Sequence, residues 1–69
     1  MSWTPMDSSV IAAVRYDPRT ERLDIRFTSG LVYRYFAVPR FVARGLVTAP
    51  SAGEYFNAEI RDAYDYERL

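Results

Sequence analysis

Covalent or proton-transfer chemistry at neutral pH needs a base, a nucleophile or a bound metal. This chain lacks most of the usual side chains for it. Its 69 residues include no His and no Cys, and all 9 of its cationic side chains are Arg, so no lysine amine is present either. Carboxylate pairs remain, for example Glu59 with Asp62 one helical turn on, but a solvated acidic face accounts for them more simply. Ser51 has Glu54 three residues later, which is the spacing of a helix capping box rather than of a nucleophile. No dense run of acidic residues suggests a loop that holds a hard cation. The side chains therefore argue against an enzyme: no catalytic residue, no metal site and no cofactor is expected.

What remains is arginine and aromatic chemistry. The chain has 6 Tyr, 4 Phe and 1 Trp. Tyr33 and Tyr35 flank Arg34, and aromatic rings on a sheet with arginines nearby are a common way to hold unpaired RNA bases. Formal net charge is zero, which argues against strong non-specific binding to nucleic acid. The charge is unevenly spread, however. Arg26, Arg34, Arg40 and Arg44 lie in a stretch, Arg26 to Gly53, without a single acid, while Glu54, Glu59, Asp62, Asp65 and Glu67 crowd the end. Two readings follow: the acidic end folds back to pair with the basic middle, or a basic face stays free for phosphates. The first is the simpler.

A chain of this length makes one domain. It buries only ~60% of its unfolded surface, so dense aromatic packing or a homo-oligomer must supply stability. Met1–Asp7 reads as a loose lead-in, with Trp3 as a residue that pins it to the core or to a partner. The single domain is expected over 8–69. The start has no secretory signal pattern, and no apolar run approaches a membrane span, so a cytoplasmic protein without membrane attachment is expected.

The elements that position these residues can be read from periodicity. Val10–Tyr16 reads as a strand, and Asp17-Pro18-Arg19-Thr20 as a turn. Leu23, Ile25 and Phe27 alternate with polar residues, and Leu31–Val38 resumes the pattern. A three-residue loop, Thr28-Ser29-Gly30, with Gly30 at positive φ, pairs Ile25 with Tyr33, Leu23 with Tyr35 and Asp24 with Arg34. A two-residue loop would instead set Ile25 against Arg34. Pairing Tyr16 with Leu23 puts Arg15 opposite Asp24 and Ala12 beside Phe27. One face then carries Ala12, Val14, Tyr16, Leu23, Ile25, Phe27, Leu31, Tyr33 and Tyr35. The other carries Arg15, Asp24, Arg26, Arg34 and an exposed Phe36, with surface ion pairs worth ~0–1 kcal/mol each.

Pro39 opens a helix in which Phe41, Val42 and Leu46 face inward and Arg40 and Arg44 outward. Ser51 caps a second helix, with Phe56, Ile60 and Ala63 on one side, ending near Asp62–Tyr64. The last residues form a tail able to lie along the sheet. The expected fold is α+β, a three-stranded antiparallel meander with two helices on one face (β-β-β-α-α).

These residues resemble a known family. Ser8-Ser9, Tyr16-Asp17-Pro18, Ser29-Gly30, Tyr33-Arg34-Tyr35, Val38-Pro39, Ala49-Pro50-Ser51, Gly53, Tyr55-Phe56-Asn57, Ile60-Arg61 and Tyr64 together are similar to the KTSC domain. That domain is named for its place at the C-terminus of some lysyl-tRNA synthetases and also occurs as stand-alone bacterial and phage proteins, and the chain resembles a stand-alone member. The resemblance marks Tyr33, Tyr35, Ser51, Gly53, Phe56 and Asn57 as hallmark positions. It implies no catalytic residue, and attachment to a synthetase suggests RNA as a ligand.

Two functions are compatible with all this. One is a non-catalytic module binding tRNA or single-stranded RNA through Arg15, Arg26, Arg34, Phe36, Arg40 and Arg44. The other is a module for protein interaction or self-association through an open sheet edge.

Overall fold

Asp24 has one arginine across from it on each neighbouring strand, and that arrangement sets the register of the sheet. In the computed structural model, which describes residues 2–69, β1 (Thr4–Pro5), β2 (Ile11–Asp17), β3 (Arg22–Phe27), β4 (Val32–Tyr35) and β5 (Tyr66–Arg68) form an antiparallel sheet. The strands lie side by side in chain order. Two helices, α1 (Arg40–Thr48) and α2 (Ala52–Glu59), are inserted between β4 and β5. The fold is α+β, with an antiparallel sheet and two helices, and the sheet has five strands rather than three.

The β3–β4 hairpin has the expected register: Leu23 opposite Tyr35, Asp24 opposite Arg34 and Ile25 opposite Tyr33. Phe27 donates its N–H to Leu31, Gly30 to Phe27, and Gly30 sits at φ 95°, a conformation that costs glycine little. At the other hairpin Asp17 Oδ1 accepts from the Arg19 N–H at 3.0 Å. Arg15 pairs with Asp24 and Tyr16 with Leu23, as expected, but the register then shifts between Ile11 and Ala13. Ile11, not Ala12, pairs with Phe27. This bulge leaves Ala12 as the extra residue and turns Ile11 into the core, where it is completely buried.

The two additional strands occupy the edges. Where a loose lead-in is expected, Thr4–Pro5 pairs with Ala13 and Val14. The tail does lie along the sheet: Tyr35 pairs with Tyr66 and Arg34 with Glu67.

Both helices cover the face carrying Val14, Leu23, Ile25 and Tyr35, against which Val42, Ala43, Leu46, Phe56 and Ile60 are buried. Leu31, expected on that face, lies at the hairpin tip and is exposed. Phe41, expected to point inward, is 76% exposed, because the buried stripe of α1 runs through Val42, Ala43 and Leu46. Gly45 gives room to Tyr55, whose hydroxyl donates to the Val42 carbonyl at 2.9 Å; a Cβ at Gly45 would collide with that hydroxyl.

Ser51 caps α2, accepting from the Glu54 N–H at 3.3 Å. The helix stops at Glu59, earlier than expected. Ile60 leaves helical geometry at φ −120°, which directs its side chain into the core and the chain toward the β4 edge. Ala63 is therefore exposed, not part of a buried helix face.

Candidate functional site

The open face of the sheet holds the first group of arginines. Across β2, β3, β4 and β5 the residues in register are Arg15, Asp24, Arg34 and Glu67, a row of alternating sign. Asp24 is only 2% exposed. Arg15 Nε donates to its Oδ2 at 2.7 Å, and Arg34 donates from Nε to Oδ1 at 2.8 Å and from Nη2 to Oδ2 at 3.1 Å. Burial alone would push the Asp24 carboxyl up. The hydrogen bonds from Arg34 and Arg15, with their charges, outweigh it and hold the group below the usual carboxylate range. The bond to Asp24 in turn raises the Arg34 guanidinium, and Glu67 adds to the effect.

Trp3 completes this face. The Arg15 and Arg26 guanidinium carbons lie 4.4 and 4.3 Å from its ring centroid, within cation–π range. Trp3 does pin the start of the chain, but to the open side of the sheet. Phe36 is half-buried, not the free ring expected of it. The acidic end does not supply the partners of the basic middle by direct ion pairs: among the described residues Asp24 takes both of them.

Arg40 and Arg44 lie elsewhere. α1 packs on the opposite face, so the sheet separates them from Arg15, Arg26 and Arg34. They are exposed at i and i+4 on α1, with Phe41 beside them, and the three line one shallow groove. A second groove of about 350 Å³ continues from Arg40 and Arg44 to Tyr16, Pro18, Ala43 and Val47. Arg40 stands at the first position of α1, whose first turn has no acidic residue and whose cap, Pro39, makes no side-chain hydrogen bond. The six expected contact residues are thus divided between two surfaces. The most exposed aromatic ring is Phe41, 76% exposed, which periodicity alone places in the core.

The hallmark positions are mostly scaffold. Tyr35 and Phe56 are buried and Tyr33 is packed against the core. Ser51 is a cap. A Cβ at Gly53 would meet Val10 Cγ2 at 3.4 Å, so this position sits close under the start of β2. Asn57 is exposed on α2 and makes no contact that explains its type. The Tyr16 hydroxyl donates to the Val38 carbonyl at 2.6 Å, tying the first hairpin to the entry of α1. Among the described residues no group of His, Cys, Asp and Glu is arranged to hold a metal ion. Among the described residues no helix is long and apolar enough to cross a membrane.

Comparison with known proteins agrees with this architecture. A family model, the KTSC domain, matches residues 7–64. A lysine–tRNA ligase of Nostoc sp. is 44% identical over 63 residues, covering 91% of this chain and 11% of the ligase. The chain therefore spans only about 11% of the length of such a relative. An "uncharacterized protein" of Stutzerimonas stutzeri is 37% identical over 70 residues, covering 100% of this chain and 99% of that protein. A crystal structure of a KTSC domain protein from Yersinia pestis has a TM-score of 0.95 at 28% identity, covering 99% of this chain and 96% of that one. The hairpin register, the two helices on one face and the matched stretch lead to one conclusion: the chain belongs to the KTSC domain family.

Proposed function

We propose that this domain is a non-catalytic binding module whose ligand is single-stranded RNA, held chiefly on the outer side of α1 by Arg40, Phe41 and Arg44. The observation that carries this is Phe41, 76% exposed between two arginines that have no carboxylate partner among the described residues. A solvent-exposed ring offers a stacking surface for a base of any sequence, and flanking guanidinium groups suit phosphates. Arg40 strengthens the case. A cation at the positive end of a helix dipole is locally unfavourable by ~0.3–1 kcal/mol, so helix stability does not favour it there, whereas an anionic ligand would. The similarity to a segment of lysine–tRNA ligases is compatible with an RNA ligand. Arg15, Arg26 and Arg34 contribute less, because Asp24 and Trp3 already occupy their charges.

The test is fluorescence anisotropy of labelled tRNA and of a short single-stranded RNA at two salt concentrations. Affinity should fall steeply with salt, and the double variant Arg40→Ala/Arg44→Ala, which removes two phosphate contacts, should reduce the logarithmic salt slope for the single strand by about 1.4. Flat titrations at low salt would sink the proposal. A second reading, self-association through the edge left open by β5, predicts a concentration-dependent mass in light scattering that is insensitive to salt.

A further inference from the structure

The helix-covered face contains a closed circuit of aromatic rings. Phe27 contacts Tyr33 at a centroid distance of 5.7 Å, Tyr33 stacks on Tyr66 at 5.3 Å, and Tyr66 meets Tyr35 at 5.4 Å. Tyr35 then meets Phe56 at 5.7 Å, and Phe56 returns to Phe27 at 5.3 Å. Three strands and α2 supply these rings, so the circuit exists only in the finished fold. All five line one cleft of about 340 Å³, together with Arg61 and Asp62 from the turn after α2. Hydrophobic burial alone would close such a cluster over itself. Here it stays open and has two charged groups of opposite sign on its lining.

The cleft lining also includes a hydrogen-bonding group. The described chain contains no buried side-chain polar atom without a partner, and the Tyr35 hydroxyl has no protein partner there, so it retains contact with solvent through the cleft its ring lines. Burial raises this phenol to about 12, so it stays protonated and able to donate. Arg61 and Asp62 line the same cleft as this ring.

We infer that this cleft binds a single unpaired nucleobase, guanine in particular. The part-buried rings of Phe27 and Tyr33 and the exposed ring of Tyr66 offer the accessible aromatic surface that a planar heterocycle needs, and the volume is at the lower end for ligand clefts, enough for a base with its sugar outside. The polar groups select among the bases. Guanine presents O6 and N7 as adjacent acceptors, which fit a guanidinium, and the N2 amine with the neighbouring N1–H as donors, which fit a carboxylate. Arg61 supplies the first and Asp62 the second. A bare organic cation would be attracted by the rings and Asp62 but opposed by Arg61; a simple anion would meet the reverse conflict.

The site does not depend on the α1 surface, and a free nucleoside separates the two because it has no phosphate. Calorimetric titration of the folded chain with guanosine, adenosine, cytidine, uridine and tetramethylammonium chloride tests it. Guanosine should bind with one-to-one stoichiometry, at least about tenfold tighter than the other nucleosides. Asp62→Asn should weaken guanosine by about tenfold or more, and Arg61→Gln should do likewise. Both residues are exposed, so a matching melting curve confirms that each variant folds. Tyr66→Ala should weaken every nucleoside, while Arg40→Ala/Arg44→Ala should leave guanosine binding unchanged. The inference is overturned if no nucleoside gives a saturable heat, if guanosine binds Asp62→Asn as tightly as the parent, or if tetramethylammonium saturates the cleft while nucleosides do not.

Discussion

Arg34 and Arg44 belong to the same acid-free run of sequence and end in opposite circumstances. Arg34 spends its guanidinium on a buried carboxylate through two hydrogen bonds; Arg44 is exposed and makes no ion pair among the described residues. The difference is not in the residue or its local charge density. It comes from one strand, β3, which places Asp24 across from both Arg15 and Arg34. A count of arginines therefore overstates the cationic surface, and register decides which of them are free to meet a ligand.

The largest way to break this contrast is Asp24→Ala. It leaves two guanidinium groups on the open face without their partner; both remain part-exposed to water, so the expected loss is that of the charge-assisted hydrogen bonds, about 2–3 kcal/mol. Denaturant unfolding measures this, and a loss below about 1 kcal/mol would mean that Asp24 behaves as a surface carboxylate. Acid gives the same test without mutation. The Asp24 carboxyl titrates lower in the folded chain than in the unfolded one, so its contribution is complete above the unfolded value of about 3.9 and declines as pH falls through the folded value. Asp24→Asn should flatten that part of the acid stability profile; an unchanged profile would assign acid sensitivity to other carboxylates.

Arg34→Ala should have a smaller effect, about 1–2 kcal/mol, because its charge-assisted bonds are lost but Arg15 still holds Asp24. An exposed pair would lose less, so denaturation of this variant shows how far the burial of Asp24 reaches. Arg44→Ala should have the smallest effect on stability, within about 0.5 kcal/mol by thermal melting. A larger loss would show that α1's outer face is scaffold rather than free surface.

Asp24, Arg15 and Arg34 were also the residues that made the hairpins legible in sequence, since only one register sets opposite charges against each other on both sides. Ile11-Ala12-Ala13 gave no such guidance. Alanine is tolerated on either face, so nothing in the sequence marks where the bulge falls, and Ala12 is consequently set beside Phe27 where Ile11 stands. Thr4–Pro5 and Tyr66–Arg68 are too short for an alternating pattern to register. Phe41 misleads because hydrophobicity is read as burial, while the inward stripe of α1 is filled by smaller residues. Of the aromatic circuit, Tyr33, Tyr35, Phe27 and Phe56 are recognisable as inward-facing or hallmark positions; Tyr66, Arg61 and Asp62 join them only through the chain reversal at Ile60.

The side-by-side order of the strands has a kinetic consequence. Pairings among β1, β2, β3 and β4 close short loops and form at little entropic expense, whereas β5 reaches β4 only after both helices intervene. Docking of the last strand should thus follow the rate-limiting step of folding. A weakened Tyr66 contact would then accelerate unfolding while leaving the refolding rate almost untouched.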